Sequence, residues 1–342
     1  MTKLLITSDT HFDNLQMFST TTAEGFNSRL IENLHVFEDL LVYARDNDCY
    51  LLHLGDLFNR RLLLPADVLH LTYELIAKYK DVIQYYIVGN HDQYGNTPAN
   101  TPLKIFSEMK HVNIITEPTQ VYFQPGVHVS MVPYGGRLLP ASPKLKNKSY
   151  QILAMHLGVQ GAKIGPREFR LESDISIPQI RELGYDLTWI GHIHKPQALT
   201  DEIIIVGSPY QLSFAEVGET KYFYIFDLED KTFVKYPTHA PEFLVHDINS
   251  EEELNALDVE DDNYHRINIL TSKITFEDVK NYTASNVIIS FNAQSQYKYE
   301  GELPENKGRT PKQEVEDYYE VLETDLEKDI LKNKSLEIIE GV

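Results

Sequence analysis

The chain has 342 residues, of which 42% are hydrophobic and 24% charged, a composition typical of a soluble globular protein with one large and one smaller domain. Its net charge of −20 disfavours a nucleic-acid partner, since attraction of phosphates requires a positive surface. Bound divalent cations would reverse the sign of the charge locally. Cys49 is the only cysteine, which excludes an intrachain disulfide and favours a reducing compartment.

The sequence shows no segment for membrane insertion or export. No apolar run is long enough to cross a bilayer, and the opening stretch MTKLLITSD continues into a strand pattern instead of a signal peptide. We therefore expect a cytoplasmic protein without a membrane partner.

Short apolar segments recur through the first two thirds of the chain. They are rich in β-branched and aromatic residues and end at polar residues, glycine or proline, so they predict strands. Apolar residues at helical spacing predict helices over 28–46, 65–79 and 101–110, the last beginning with Thr101 as N-cap and Pro102. Since the region from about 112 to 235 is richer in strands, residues 1–236 are predicted to form one α/β domain.

The composition changes near Pro237–Pro241. Residues 241–300 show the pattern strand, short acidic helix or loop, strand, helix, strand, which predicts a small α/β module. Residues 301–342 begin as a polar linker and continue as a helix over 313–340. An apolar stripe on this helix comprises Val315, Tyr318, Tyr319, Leu322, Leu326, Ile330 and Leu331. The stripe fits docking on the chain's own core or binding to a partner, and both interpretations stay open here.

Asp, Asn and His side chains stand at five predicted strand ends. They are Asp9 and His11, then Asp56, then Asn90, His91 and Asp92, then His156, then His192 and His194. Taken singly, each is explained by turn chemistry or by a hydrogen-bonded surface position. Because loops at the carboxyl ends of strands converge on one crevice in an open α/β sheet, we expect these side chains to meet.

The donors are oxygen and nitrogen atoms without a thiolate. Such a set suits two harder divalent cations, Mn²⁺, Fe²⁺, Mg²⁺ or Zn²⁺, better than a structural cysteine–zinc site. One carboxylate must bridge the pair, and Asp56, in the middle of the set, is the candidate. Two cations about 4 Å apart promote displacement at phosphorus, since they polarise the phosphoryl oxygens, supply the nucleophile and neutralise charge.

The blocks D-x-H, G-D, G-N-H-D, H and G-H-x-H occur in this order and together resemble the calcineurin-like metallophosphoesterase superfamily. The resemblance implies a four-layer α/β fold, also described as α+β, in which two packed β-sheets are flanked by helices. It assigns Asp9, His11 and His194 to the first metal and Asn90, His156 and His192 to the second, with Asp56 bridging. It also implies that His91 protonates the leaving oxygen and that Asp92 orients His91.

Two further stretches narrow the resemblance. GSPYQLSFAEVGETKYFYIFDLED, from Gly207, and HLGVQGAKIGPREFR, from His156, are similar to the Mre11/SbcD nuclease subunits in their compact prokaryotic or bacteriophage form. This resemblance implies a Mn²⁺-preferring DNA exonuclease and endonuclease of repair and recombination, with a capping domain over 241–300. It further implies a homodimer, a Rad50/SbcC-like ATPase bound by the C-terminal helix, and a prokaryotic or phage-infected cytoplasm. Asn59 departs from the Asp or His that members often carry.

Basic residues near these blocks are candidates for DNA phosphate contacts. They are Arg60, Arg61, Arg137, Lys163, Arg167 and Arg170, for which solvated surface charge is the alternative interpretation. A small-molecule phosphodiesterase or phosphatase is the alternative function, and GNHD in place of GNHE disfavours protein Ser/Thr phosphatases. A non-catalytic scaffold is disfavoured because all seven expected ligands and His91 are present.

Overall fold

A computed structural model describes residues 2–95, 97–143, 149–165, 168–173, 175–282, 284–291, 313, 315, 318–319 and 328–340. The strands are β1 (Lys3–Thr7), β2 (Cys49–His53), β3 (Gln84–Ile87), β4 (Val112–Ile115), β5 (Thr119–Gln124), β6 (Val127–Val132), β7 (Tyr150–His156), β8 (Lys163–Ile164), β9 (Phe169–Arg170), β10 (Leu187–Gly191), β11 (Gln197–Thr200), β12 (Ile203–Ile205), β13 (Tyr222–Asp227), β14 (Phe233–Pro237), β15 (Phe243–Ile248), β16 (Tyr264–Ile269) and β17 (Val287–Phe291). The α-helices are α1 (Ser28–Asp46), α2 (Ala66–Lys78), α3 (Ile177–Glu182), α4 (Glu251–Asn255), α5 (Phe276–Val279) and α6 (Lys328–Glu340).

Two six-stranded sheets form the body of the fold. The first has the order β14-β13-β1-β2-β3-β4. Strands β1 to β4 are parallel, and β13 is antiparallel to both of its neighbours, β1 and β14. The second has the order β11-β12-β10-β7-β6-β5, with a parallel centre and an antiparallel strand at each edge. Parallel strands buried on both faces explain why the early apolar segments show little alternation.

The sheets pack face to face with helices outside. One buried cluster combines Leu4 and Leu52 of the first sheet with Val129 and Trp189 of the second, so it lies between the sheets. A second cluster joins α1 and α2 to the outer face of the first sheet, where a side chain such as the fully buried Phe37 contributes roughly 1.5–3 kcal/mol. A third cluster joins α3 to the second sheet. The four-layer α/β fold expected from the sequence is confirmed.

The predicted helix boundaries hold for α1 and α2 and differ further on. Asn27 caps α1 by accepting from the backbone N–H of Leu30, and the helix covers the predicted range. Residues 102–108 form a 3₁₀-helix where an α-helix was predicted, although Thr101 does cap it by accepting from the N–H of Leu103. A short 3₁₀ segment is a common connector, and here it leads directly into β4.

A three-stranded parallel sheet, β15-β16-β17, carries its own apolar cluster with α4 and α5. It joins the main body through Arg29 of α1, which is 2% exposed and lies over the rings of Phe243 and Tyr264 at 5.1 and 4.4 Å. The Tyr264 hydroxyl also hydrogen-bonds Glu32. The domain boundaries at 236 and 300 stay predictions, and the expected linker over 301–312 lies outside the described residues.

Candidate active site

The carboxyl ends of strands from both sheets meet and carry the predicted side chains. Four of these residues have left-handed backbone angles, with φ of 54° at Asp9, 47° at His11, 55° at Asp56 and 88° at His192. Residues with side chains adopt this conformation rarely, and such strain concentrates where function requires a fixed geometry.

The first group of donors comprises Asp9, His11 and His194, each of which offers a ligand atom within 4.8 Å of the other two. The Nε2 atoms of His11 and His194 face each other at 3.1 Å, and the Oδ1 atom of Asp9 lies 3.9 Å from the former. Asp9 also accepts from the backbone N–H of His192 at 3.0 Å, which links the first strand to the G-H-x-H block.

The second group comprises Asn90, His156 and His192. The Oδ1 atom of Asn90 lies 3.0 Å from Nε2 of His156 and 2.8 Å from Nδ1 of His192. Ring nitrogens and an amide oxygen therefore point at one small volume, which fits a divalent cation.

Asp56 lies between the two groups. Its Oδ2 atom is 3.6 Å from Nε2 of His11 and 3.2 Å from Nε2 of His156, and its Oδ1 atom accepts from the N–H of His91 at 2.7 Å. A Cβ atom on Gly89 would lie 2.1 Å from this Oδ1, so only glycine leaves room for the Asp56 carboxylate beside position 89. The position fits the bridging role that the resemblance implies.

Burial and neighbouring charge set the protonation of these groups. Burial lowers the pKa of His11 to about 3 and that of His192 to about 4, so both rings are neutral and able to act as ligands near pH 7. Burial alone would lower the pKa of His156, but the charge and hydrogen bond of Asp56 outweigh it and raise the pKa to about 9. A cation at this site would compete with that proton.

Partners behind the donors fix two of the histidine rings. His156 Nδ1 donates to the carbonyl of Leu54 at 2.8 Å, and His194 Nδ1 donates to Oε1 of Glu216 at 2.9 Å. Burial alone would raise the pKa of Glu216, but the hydrogen bond from His194 and the charge of Lys221 lower it to about 2. The sequence analysis missed Glu216, although it lies in the G-S-P-Y-Q-L-S-F-A-E segment that carries part of the resemblance.

His91 lies beside the donors, and its Nδ1 atom is bound by a backbone group. Its ring nitrogen falls within 4.8 Å of ligand atoms of His11 and Asp56, and Nδ1 lies 2.6 Å from the carbonyl oxygen of Asn59. Asn59 is held in turn by Asp13, which accepts from the side-chain amide at 2.9 Å. Donation from Nδ1 to this carbonyl leaves Nε2 of His91 for a leaving oxygen.

The expected role of Asp92 requires correction. Asp92 is fully buried and accepts hydrogen bonds from the backbone N–H groups of Leu57, Phe58 and Gly89 at 3.0–3.2 Å. In the part of the chain that the structure describes, it makes no hydrogen bond to His91. Asp92 therefore ties the loop after β2 to the loop after β3, and the Asn59 carbonyl orients His91.

The basic residues divide into paired and unpaired side chains. Arg60 forms an ion pair with Asp13 at 2.8 Å, and Lys163 forms one with Glu168 at 2.8 Å. The remaining described candidates, Arg61, Arg137 and Arg170, are exposed and form no ion pair with a described residue. Arg167 lies outside the described residues. Any phosphate contact by these side chains stays a prediction.

A family model of calcineurin-like phosphoesterases matches residues 2–196, which contain every residue of the two donor groups together with Asp56 and His91. The chain is a calcineurin-like phosphoesterase. A dimetal phosphatase from Danio rerio is similar in structure, with a TM-score of 0.44 and 12% identity over 70% of this chain and 96% of that one. A novel archaeal phosphodiesterase gives a TM-score of 0.35 and 12% identity over 69% and 99% of the respective chains. No curated protein matches the chain in sequence.

This phosphoesterase is thus a metal-dependent hydrolase of phosphate esters. Its Asp, Asn and His donors fit two divalent cations held by the groups around Asp56. When bound, such cations polarise phosphoryl oxygens and neutralise the charge that develops during displacement. No helix among the described residues has the length and apolar character needed to cross a membrane.

Proposed function

We propose that the protein is a two-metal DNA nuclease, the catalytic subunit of an Mre11–Rad50-like or SbcCD-like complex that processes DNA ends. The observation that supports a polymeric substrate is an open cleft of about 400 Å³ beside His192 and His194. The cleft is partly open to solvent, so a phosphate within a longer chain can approach it.

The β8–β9 hairpin forms one wall of the cleft and offers contacts suited to nucleic acid. Ile164 lines the cleft and pairs across the hairpin with Phe169, whose side chain is 62% exposed. Lys163 and Arg170 are the neighbouring cross-strand pair. The exposed ring on the cleft side of the hairpin can stack on a base. Lys163 and Arg170 point to the opposite face, because neighbouring residues of a strand alternate.

The chain's own residues would have two roles in hydrolysis, cation binding and proton donation. Asp9, His11 and His194 would hold one cation and Asn90, His156 and His192 the other, with Asp56 between them. His91 is placed to give its Nε2 proton to the leaving oxygen, and its ring orientation is fixed through Nδ1 by the Asn59 carbonyl.

The proposed partner ATPase would supply much of the DNA affinity, since the chain has a net charge of −20. Helix α6 is the proposed docking element. Tyr318 is 43% exposed, and the Tyr319 hydroxyl lies 2.9 Å from Oγ of Ser335, so the tail makes at least one contact within itself. Leu322 and Leu326 of the predicted stripe lie outside the described residues.

Nuclease assays on linear duplex DNA test the proposal, with the protein alone and with the proposed Rad50/SbcC-like ATPase partner. We expect Mn²⁺-dependent cleavage that a chelator abolishes and that Asp56→Ala lacks. Activity of Asp56→Ala equal to the wild type, or an inert wild type under all conditions, would refute it. Removal of residues 313–342 should abolish co-purification with the ATPase and leave hydrolysis of a small aryl diester unchanged.

The acidic charge favours one alternative, a phosphodiesterase for small diesters such as cyclic nucleotides. It would use the same donors and His91. Rapid turnover of cyclic nucleotides without cleavage of DNA, with or without the ATPase, would select this alternative.

A further inference from the structure

A buried charged network lies directly behind His194. Glu216 is 8% exposed, and its Oε1 accepts from Nδ1 of His194 at 2.9 Å. Its other oxygen, Oε2, accepts from the Nζ of Lys221 at 2.7 Å and from the backbone N–H of Leu212 at 3.2 Å. Three donors therefore hold this carboxylate in one orientation.

Lys221 holds the same histidine from a second side. It is 5% exposed, and its Nζ donates to the backbone carbonyl of His194 at 2.9 Å and to Oε2 of Glu219 at 2.9 Å. The network thus binds the ring of His194 through Glu216 and its backbone through Lys221. Burial of a lysine costs desolvation free energy even when two carboxylates and a carbonyl surround it, so packing alone does not explain this arrangement.

We propose that Glu216 is a positioning residue that fixes the tautomer and direction of His194 for the first cation, with Lys221 holding Glu216 in place. An ionised carboxylate only accepts hydrogen bonds, so Nδ1 of His194 must carry the ring proton. In the neutral ring the lone pair is then on Nε2, the atom that faces His11 at 3.1 Å. Partners of this kind commonly change metal affinity by about 10–100-fold when they are lost.

Replacement of Glu216 by glutamine distinguishes a positioning residue from a purely structural ion pair. The amide carbonyl should turn toward the Oε2 position, where Lys221 and Leu212 provide two donors, and the NH₂ group should turn toward His194. His194 Nδ1 would then accept, and the proton would move to Nε2 and block cation binding. The nearly isosteric glutamine should therefore weaken binding at least as much as alanine does, whereas a packing role predicts the opposite order.

Calorimetric titration of the full chain with Mn²⁺ tests this order. We expect Glu216→Gln to weaken one of the two Mn²⁺ sites by about 10–100-fold and leave the other unchanged. Spectra of the metal-free protein with ¹⁵N-labelled histidine, recorded at a pH high enough for a neutral His194 ring, should show its proton on Nδ1 in the wild type and on Nε2 in Glu216→Gln. A His194→Gln variant identifies the signal.

Glu219→Gln is the matched control, because Glu219 accepts from the same Lys221 but does not bind His194. It should keep wild-type Mn²⁺ affinity. If Glu216→Gln does not fold, Glu216→Ala carries the test, with a loss of about 10-fold expected at one site. Wild-type affinity in the Glu216 variants, an unchanged tautomer, or an equal loss in Glu219→Gln would overturn the proposal. None of these measurements uses DNA, so the result is independent of the proposed nuclease function.

Discussion

Replacement of Gly89 by alanine tests whether Asp56 lies where two cations need it. The added methyl carbon would lie 2.1 Å from Oδ1 of Asp56 and 2.4 Å from its backbone nitrogen. Since such contacts are essentially never shorter than 3.0 Å, Oδ1 must move by about 0.9 Å and the two backbone segments must separate by about 0.6 Å. Rotation of the Asp56 side chain cannot relieve this clash, because one of the two atoms belongs to the backbone.

The size of the expected effect follows from this displacement. Overpacking of a tight interior typically costs about 1–3 kcal/mol of unfolding free energy. A shift of about 1 Å in a catalytic group can lower turnover by about 100-fold. Calorimetry with Mn²⁺, turnover of bis-p-nitrophenyl phosphate and thermal unfolding should therefore all report a loss.

Gly95→Ala controls for the general cost of removing a glycine near the site. Its φ is +67°, and nothing lies within 4 Å of the added carbon, so the substitution strains the backbone without touching a donor. We expect a stability loss of roughly 1–2 kcal/mol and unchanged metal binding. Two Mn²⁺ ions bound with wild-type affinity and wild-type turnover in Gly89→Ala would refute the reasoning.

Three further predictions concern the histidines. His91→Ala should slow hydrolysis of DNA by about 100-fold or more and retain both cations, and loss of a cation in calorimetry would contradict its role as acid. Asn59→Ala keeps the backbone carbonyl that orients His91, whereas Asp13→Ala releases both Asn59 and Arg60. Asn59→Ala should therefore slow hydrolysis less than Asp13→Ala. The opposite order of kcat values would refute the role of the backbone carbonyl. Burial lowers the pKa of His53 to about 3, so between pH 6.5 and 3 only the unfolded chain binds this proton. The free energy of unfolding therefore decreases as the pH is lowered through this range. In chemical denaturation, His53→Gln should reduce that slope by about 1.4 kcal/mol per pH unit, and an unchanged slope would exclude the assignment.

The sequence predicted features that local patterns encode. The polar residues at the ends of apolar strands were expected to converge, because parallel strands end at one edge, and the structure brings all seven expected ligands and His91 together. Helix α1 was predicted over its full length from apolar spacing. These features depend on periodicity, which a single sequence displays directly.

Other features depend on contacts between distant segments. The family resemblance implied Asp92 as the partner of His91, yet the partner is the carbonyl of Asn59, a group that every residue type carries. Glu216 is 22 residues beyond His194, and no pattern connects the two. The charge of Arg60 is offset by Asp13 across 47 residues, which composition cannot show.

The facing Nε2 atoms of His11 and His194 would make bound cations part of the architecture. Their lone pairs would repel unless a cation or a shared proton lay between them, so a cation that replaces the proton would favour the folded arrangement. Each bound ion should then shift the folding equilibrium in proportion to the logarithm of its free concentration. For this enzyme, the supply of metal in the cell would govern how long a molecule survives as well as how fast it works.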